Sequence, residues 1–419
     1  MSLVKSSSIN AFSVAAKLAS ALVLNKILAA YIGPSGYAVI GQFQNAASIF
    51  VSLAGGVMAI GVTKLTAQHF DDIEKQHFAW KTVAKLSLIL SLIIIPILIL
   101  LDGRLNQIFL KESGLDGVFI WLALCLPMLV WNNLILGVIN GKKEIKLYVI
   151  GSISASIIST LIIGLFSIYF GIYGALIAIS INSAFILIVL LYILKGCQWF
   201  RLKYFIGSIN NTVIRELFGF GMIGLTSAIA APVSYMVIRN LLTDRLGSES
   251  AGYWQACWKI SEMYLFVITT TLATYYLPRI AEIKKIQELK REIFKTYLIV
   301  LPVTIIGAVA VFLSRDFIIN ILFSTEFLPM RELFGWQLFG DVIKIASWIL
   351  AYVMIGRAMF KYFIITEVIF TLTFILMAYK FIEIYGLIGV SIAYAANYIL
   401  YLITLSIIIK KELDKRFNN

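Results

Sequence analysis

Six lysines, Lys17, Lys26, Lys64, Lys85, Lys259 and Lys344, lie inside stretches that are otherwise apolar, and Arg239 stands near the end of another. Three acids share such settings: Glu262, Asp341 and Glu367. A charge at the middle of a membrane helix costs about 2.5–3.5 kcal/mol on insertion scales, so helices that keep one turn it toward a protein-lined cavity. Cations outnumber carboxylates in this set, which points to an anionic cargo; phosphoryl oxygens pair directly with ammonium and guanidinium groups. Amides at Gln42, Gln44, Asn45, Asn132, Asn133, Asn182, Gln255, Gln337 and Asn397 suit sugar hydroxyls. The rings of Tyr235, Trp254, Trp258, Tyr264 and Trp336 offer faces on which the apolar side of a sugar can stack.

Each group also has a purely structural explanation. Lys259 and Glu262 are three residues apart, as are Asp341 and Lys344, so either pair can satisfy itself on one helix face. Lys64 and Lys85 can snorkel to a nearby surface, and Trp254 and Trp258 begin a span where an aromatic belt is expected. Lys26 and Arg239 have no acid at helical spacing and are assigned to the cargo site. A buried carboxylate can change protonation as a cavity opens and closes, which makes Glu262 and Asp341 candidates for coupling. The three cysteines and two histidines form no metal-ligand spacing and no disulfide framework.

The elements that must position these groups are membrane helices. Of 419 residues, 60% are hydrophobic and 14% charged, and the mean hydropathy is +0.92. Soluble domains of ordinary composition do not approach these values. Apolar runs long enough to cross about 30 Å of hydrocarbon recur along the chain, and we expect twelve, at 9–32, 37–67, 82–101, 117–139, 145–170, 173–194, 217–242, 251–277, 294–314, 330–356, 361–382 and 385–409. The first is expected to be a retained helix, not a cleaved signal. With the amino terminus inside, 22 of the 35 Lys and Arg fall in inner segments and 7 in outer loops, which predicts both termini in the cytoplasm. The formal charge of +13 is therefore read as membrane topology, not nucleic-acid binding.

Sliding the chain along itself by 212 to 213 residues superposes Lys26 on Arg239, Gln42 on Gln255 and Tyr173-Gly174 on Tyr385-Gly386. This predicts an all-α membrane protein of two pseudo-symmetric six-helix lobes around a central cavity. The expected domains are residues 1–195, a basic amphipathic cytoplasmic linker at 196–216, and residues 217–419. Trp199, Phe200, Tyr204 and Phe205 of the linker are expected at the acyl boundary, with Lys195, Arg201 and Lys203 at headgroups.

Several segments carry a family resemblance: MSLVKSS at the start, GPSGYAVIGQFQ at 33–44, GVTKLTAQ at 61–68, VIRNLL at 237–242, YWQACWKISEMYL at 253–265, YYLPRI at 275–280 and above all MRELFGWQLFGDVIKI at 330–345. In these the chain resembles the Wzx-type flippases of O-antigen and enterobacterial common antigen, in the multidrug, oligosaccharidyl-lipid and polysaccharide exporter superfamily. The resemblance implies a monomeric inner-membrane transporter without cofactor. Its expected partners are membrane lipids, other surface-polysaccharide assembly proteins, and the cargo, an undecaprenyl-pyrophosphate glycan moved to the periplasmic leaflet by alternating access. It places Lys26, Lys64, Arg239, Arg331, Asp341 and Lys344 on shared motif positions and puts Glu262 where close relatives are expected to carry Asp; Lys259 matches no such pattern. The expected cargo site is Lys26, Lys64, Arg239, Lys259, Gln42, Gln255, Trp336 and Lys344, with Glu262, Arg331 and Asp341 for coupling. A multidrug exporter of the same superfamily is the alternative, favouring acidic cavities. A membrane polymerase or ligase would need a catalytic set outside the bilayer, and the loops at 102–116, 243–250 and 315–329 carry none.

Overall fold

The computed structural model describes the backbone of residues 3–417, and the side chains of these residues except 3–13, 218–220, 222, 223 and 413–417. The MSLVKSS motif and the terminal cations Lys415 and Arg416 lie outside the described side chains. Fourteen α-helices occur in the described chain: α1 Leu3–Val51, α2 Met58–Gln68, α3 Ile73–Leu100, α4 Asp102–Leu105, α5 Val118–Gly141, α6 Ile145–Leu194, α7 Asn211–Leu246, α8 Ser248–Thr271, α9 Leu277–Glu282, α10 Ile286–Leu313, α11 Arg315–Leu322, α12 Phe334–Gly356, α13 Phe360–Tyr385 and α14 Ile388–Phe417. Widened π-turns at Ser52–Gly56 and Leu272–Tyr276 join α1 to α2 and α8 to α9.

Nine helical stretches of the described chain are long and apolar enough to cross a membrane, and the chain is a multi-pass membrane protein. The difference from the expected twelve has identifiable causes. Two stretches, Val14–Gly56 and Ile145–Leu194, run for 43 and 50 residues, about twice the 20 or so needed for one crossing. Each contains a break, at Gly33 (φ 72°, ψ −178°) and at Gly171 (φ 59°, ψ −145°). Only glycine enters this region of backbone space at low cost, so the chain redirects there. Helix α8 carries Glu249, Lys259 and Glu262 and is not among the nine.

Positive-φ glycines recur at a spacing close to the one that the sequence comparison uses. Gly247 (φ 89°) follows Gly33 by 214 residues, and Gly386 (φ 62°, ψ −140°) follows Gly171 by 215. Lys26 stands seven residues before Gly33, and Arg239 stands eight before Gly247. Asn25 and Arg239 are 5% and 2% exposed, whereas Lys26 is exposed.

By chain contacts the molecule divides into one unit of residues 1–32 and 39–232 and a second of 33–38 and 233–419. In the first unit α5 packs against α2, α3 and α6. Trp80, fully buried, anchors a core with Val62, Leu65, Val83, Leu134 and Val138, and its Nε1 donates to Thr66 Oγ1 at 2.9 Å. Phe205 stacks on Trp80 with centroids 5.4 Å apart, Tyr204 stacks on His77 at 3.9 Å, and Trp199 and Phe200 pack alongside. The aromatic residues expected at the acyl boundary therefore close a protein core; burying their apolar area there needs no lipid. The Asp102 carboxylate accepts from the backbone N–H of Gly117 (2.7 Å) and Phe119 (3.0 Å), holding the start of α5 where the helix dipole favours an anion. On α3, Leu92 and Ile93 are exposed, as expected for a span without charges that faces lipid.

In the second unit α12 is central, packing against α8, α9, α10, α13 and α14. Residues 33–38 join this unit because Tyr37 is wedged edge-on against Phe323 and Phe327, with centroids 5.8 Å away in both cases. The Pro34 carbonyl also rests against Gly252, where a Cβ would collide with it.

Candidate functional site

The second unit gathers most of the ionisable groups named above. On α7, Tyr235 and Arg239 are one turn apart and share a face. On α8, Trp254, Trp258, Ser261 and Leu265 form a buried stripe, while Gln255, Lys259 and Glu262 form the stripe beside it, partly open. On α12, Gln337, Asp341 and Lys344 occupy the buried face. Tyr394, Tyr398 and Tyr401 on α14 complete the cluster at helical spacing.

The contacts between these faces define a cationic, aromatic-walled cluster. The Arg239 guanidinium carbon lies 6.0 Å from the Trp254 ring centroid, and the ring of Tyr235 is 4.4 Å from that of Trp258. Trp258 Nε1 donates to Glu262 Oε1 at 3.1 Å, and Lys259 Nζ donates to Glu262 Oε2 at 2.9 Å. Lys259 and Glu262 are therefore an ion pair, as their spacing allows, but a half-open one with side chains 32% and 49% exposed. Such a pair contributes little to stability and keeps its charges available.

Asp341 and Lys344 behave differently. Asp341 is fully buried and accepts from Tyr264 Oη at 2.9 Å and from Tyr394 Oη at 2.8 Å. Lys344 Nζ sits among four rings, 4.8 Å from the centroid of Trp258, 5.0 Å from Trp348, 5.8 Å from Tyr398 and 5.9 Å from Tyr394. No ion pair joins the two among the described residues, so the self-satisfied pair their spacing allows does not form. A short carboxylate is captured by two phenols from α8 and α14, and the long lysine stem reaches the aromatic ring set. Each cation–π contact contributes about 0.5–2 kcal/mol, rising with desolvation, so several together offset part of the cost of burying an ammonium.

Of the residues singled out in the sequence, Arg239, Gln255, Lys259, Glu262, Asp341 and Lys344 belong to this cluster. Trp336 does not: it is 43% exposed and lies about 100° around α12 from Gln337. Arg331, in the 3-10 helix Thr325–Leu333 before α12, pairs with Asp316 of α11 at 3.1 Å, both more than half exposed. Lys26, Gln42 and Lys64 belong to the first unit. Lys26 is exposed on α1, Gln42 is buried, and Lys64 lines a recess of about 250 Å³ with Gly61, Leu65, Gln68, Glu216 and Leu217. Sequence reasoning missed Trp348, Tyr394 and Tyr398. The signal was available, since Trp348 stands four residues after Lys344 and Tyr394 and Tyr398 are one turn apart. Among the described residues no three His, Cys, Asp or Glu side chains converge in a way that could hold a metal ion.

A helical membrane protein with embedded cations beside aromatic faces is the setting in which a family assignment has meaning. The chain belongs to the polysaccharide biosynthesis protein family, whose model matches residues 27–332. It is 29% identical over 401 residues to the Lipid III flippase of Escherichia coli strain K12, covering 96% of each chain, and to the same degree to the Lipid III flippase of Shigella flexneri. Its fold is similar to an inward-facing multidrug resistance MATE family transporter of the MOP superfamily, with a TM-score of 0.76, 16% identity, and 95% and 96% of the two chains covered. It is also similar to Lipid II flippase MurJ in an inward closed conformation, with a TM-score of 0.74, 16% identity, and 97% and 87% covered.

Proposed function

We propose that this protein is a flippase for a lipid-linked glycan, and specifically that it carries a polyprenyl-pyrophosphate-linked oligosaccharide from the cytoplasmic to the periplasmic leaflet of the bacterial inner membrane. The observation that carries this reading is the pairing, in the second unit, of buried Arg239 with the Trp254 ring and of buried Lys344 with the rings of Trp258, Trp348, Tyr394 and Tyr398. Guanidinium and ammonium groups attract pyrophosphate oxygens. Aromatic faces beside them take sugar rings, and the open Lys259–Glu262 pair and Gln255 supply donors and acceptors for hydroxyls. Membership of a polysaccharide biosynthesis family and the likeness to Lipid III flippases support the same cargo class.

The process is vectorial and makes or breaks no covalent bond. The isoprenoid stays in apolar surroundings while the charged headgroup and sugars cross, and the transporter alternates between two states that differ in their interaction with the cargo. Both termini are assigned to the cytoplasm from the distribution of Lys and Arg. The test is deletion in the host with radiolabelled lipid-linked glycan followed by leaflet accessibility. Wild type clears the cytoplasmic-leaflet pool and Arg239→Ala leaves it in place; an unchanged leaflet distribution on deletion, in a strain without a second flippase, overturns the assignment.

A further inference from the structure

We propose that the first unit holds the isoprenoid chain of the cargo in an apolar track between α2, α3 and α7, with its polar end at Lys64; this rests on the flippase reading above. A recess of about 310 Å³ opens between these helices, walled by Met58, Leu86, Leu90, Leu217 and Leu225. Nearly all of its lining is hydrocarbon. The smaller recess at Lys64 shares one wall with it, Leu217. Along α2 and the turn before it, the lining passes from Val57 and Met58 in the apolar recess to Gly61, Lys64, Leu65 and Gln68 in the polar one, a change of character over about three turns.

The packing of α7 shows why space remains there. A Cβ on Gly61 would meet the Leu217 side chain, and one on Gly224 would meet Val57, so both glycines are filled positions in a close helix contact. Gly221, between Leu217 and Gly224 on α7, faces the recess, and among the described residues nothing lies within 4 Å of where its Cβ would stand. Among the described residues the helices touch on both sides of Gly221 and leave a gap beside it. A gap bordered by glycine accommodates methyl-branched carbons, which need more width than a straight acyl chain.

The polar mouth contains a cation (Lys64), an anion (Glu216) and an amide (Gln68). That mixture marks the polar end of the track and is not a dedicated pyrophosphate cradle, so the inference concerns the hydrocarbon chain. With the amino terminus inside, Lys64 lies at the cytoplasmic end of α2 and the apolar recess lies deeper, which matches a lipid entering from the cytoplasmic leaflet with its chain directed inward.

The test uses the purified full-length protein in nanodiscs and two photoreactive lipids, undecaprenyl phosphate and a phosphatidylglycerol with straight acyl chains, each with a diazirine in the chain. Undecaprenyl phosphate is expected to label α3 and α7 at the recess. Gly221→Leu is expected to cut that labelling roughly tenfold or more, because it displaces several buried carbons. Leu225→Trp fills the same space by a second route in case Gly221→Leu fails to fold, and Ile93→Trp, on the exposed face of α3, is expected to change nothing. Labelling that survives both filled variants, or that phosphatidylglycerol produces equally well, overturns the track. Glycan transport in the deletion strain separates the two claims. Undiminished transport by a folded Gly221→Leu overturns the track and leaves the flippase reading intact, whereas specific labelling with no effect of the deletion on glycan distribution overturns the function.

Discussion

Asp341 and Lys344 stand one turn apart on α12, carry opposite charges, and do not pair: Asp341 is held by the hydroxyls of Tyr264 and Tyr394, and Lys344 lies in a ring of Trp258, Trp348, Tyr394 and Tyr398. Tyr394 touches both, giving its hydroxyl to the acid and its face to the base. Two buried charges thus have separate supports with one shared member, and the supports can be removed one at a time.

Removing a phenol leaves a buried carboxylate short of a donor. Tyr264→Phe and Tyr394→Phe are each expected to lower stability by about 1–3 kcal/mol. The double variant should depart from additivity, since the hydroxyls serve one acceptor. Thermal unfolding in detergent measures this, and strict additivity within error counts against a shared carboxylate.

Lys344→Met removes a buried charge and keeps the stem. Because a buried ammonium outside any ion pair costs free energy that an apolar stem does not, and no salt bridge joins Lys344 to Asp341 among the described residues, this variant is expected to melt no lower than wild type. Its transport of lipid-linked glycan should nevertheless fall by about tenfold or more, the effect of losing a charge-assisted contact of 1.5–3 kcal/mol. Leaflet accessibility of the glycan and a melting curve on the same preparation decide it; transport at the wild-type rate would remove Lys344 from the cargo site.

Arg239 differs from lysine in presenting a flat cation to the Trp254 ring. Arg239→Lys is expected to retain part of the transport lost in Arg239→Ala, because charge is kept while the planar fork is not. A complementation series of Arg, Lys, Gln and Ala reads this order. Gln performing as well as Lys would show that charge at this position is irrelevant.

The contact of Pro34 with Gly252 predicts a structural lesion outside the cation–aromatic cluster. Gly252→Ala places a methyl on the Pro34 carbonyl, and overpacking of this kind costs about 1–3 kcal/mol or more. Reduced yield of folded protein by size-exclusion chromatography is expected, with Gly221→Ala, whose methyl meets nothing among the described residues, as the tolerated control.

Composition and apolar run length were enough to read an all-helical multi-pass membrane protein, because the cost of leaving backbone groups unpaired in hydrocarbon permits few other solutions. Gly171 and Gly386, both at helix breaks, have near-identical φ and ψ. Which of the 28 glycines adopt a left-handed conformation was not legible, and only the backbone angles of Gly33, Gly171, Gly247 and Gly386 show it.

Which residues carry charge into the membrane was determined by the sequence alone, as was the excess of cations among them, since insertion cost depends on residue type and depth. Where those charges find partners was decided by tertiary structure. The spacing of Asp341 and Lys344 is the same as that of Lys259 and Glu262, yet one pair forms and the other does not. The difference is made by Tyr264 and Tyr394, 77 and 53 residues away from Asp341 in the chain. Helical periodicity says which side chains share a face; only the packing of α8, α12 and α14 says what meets that face.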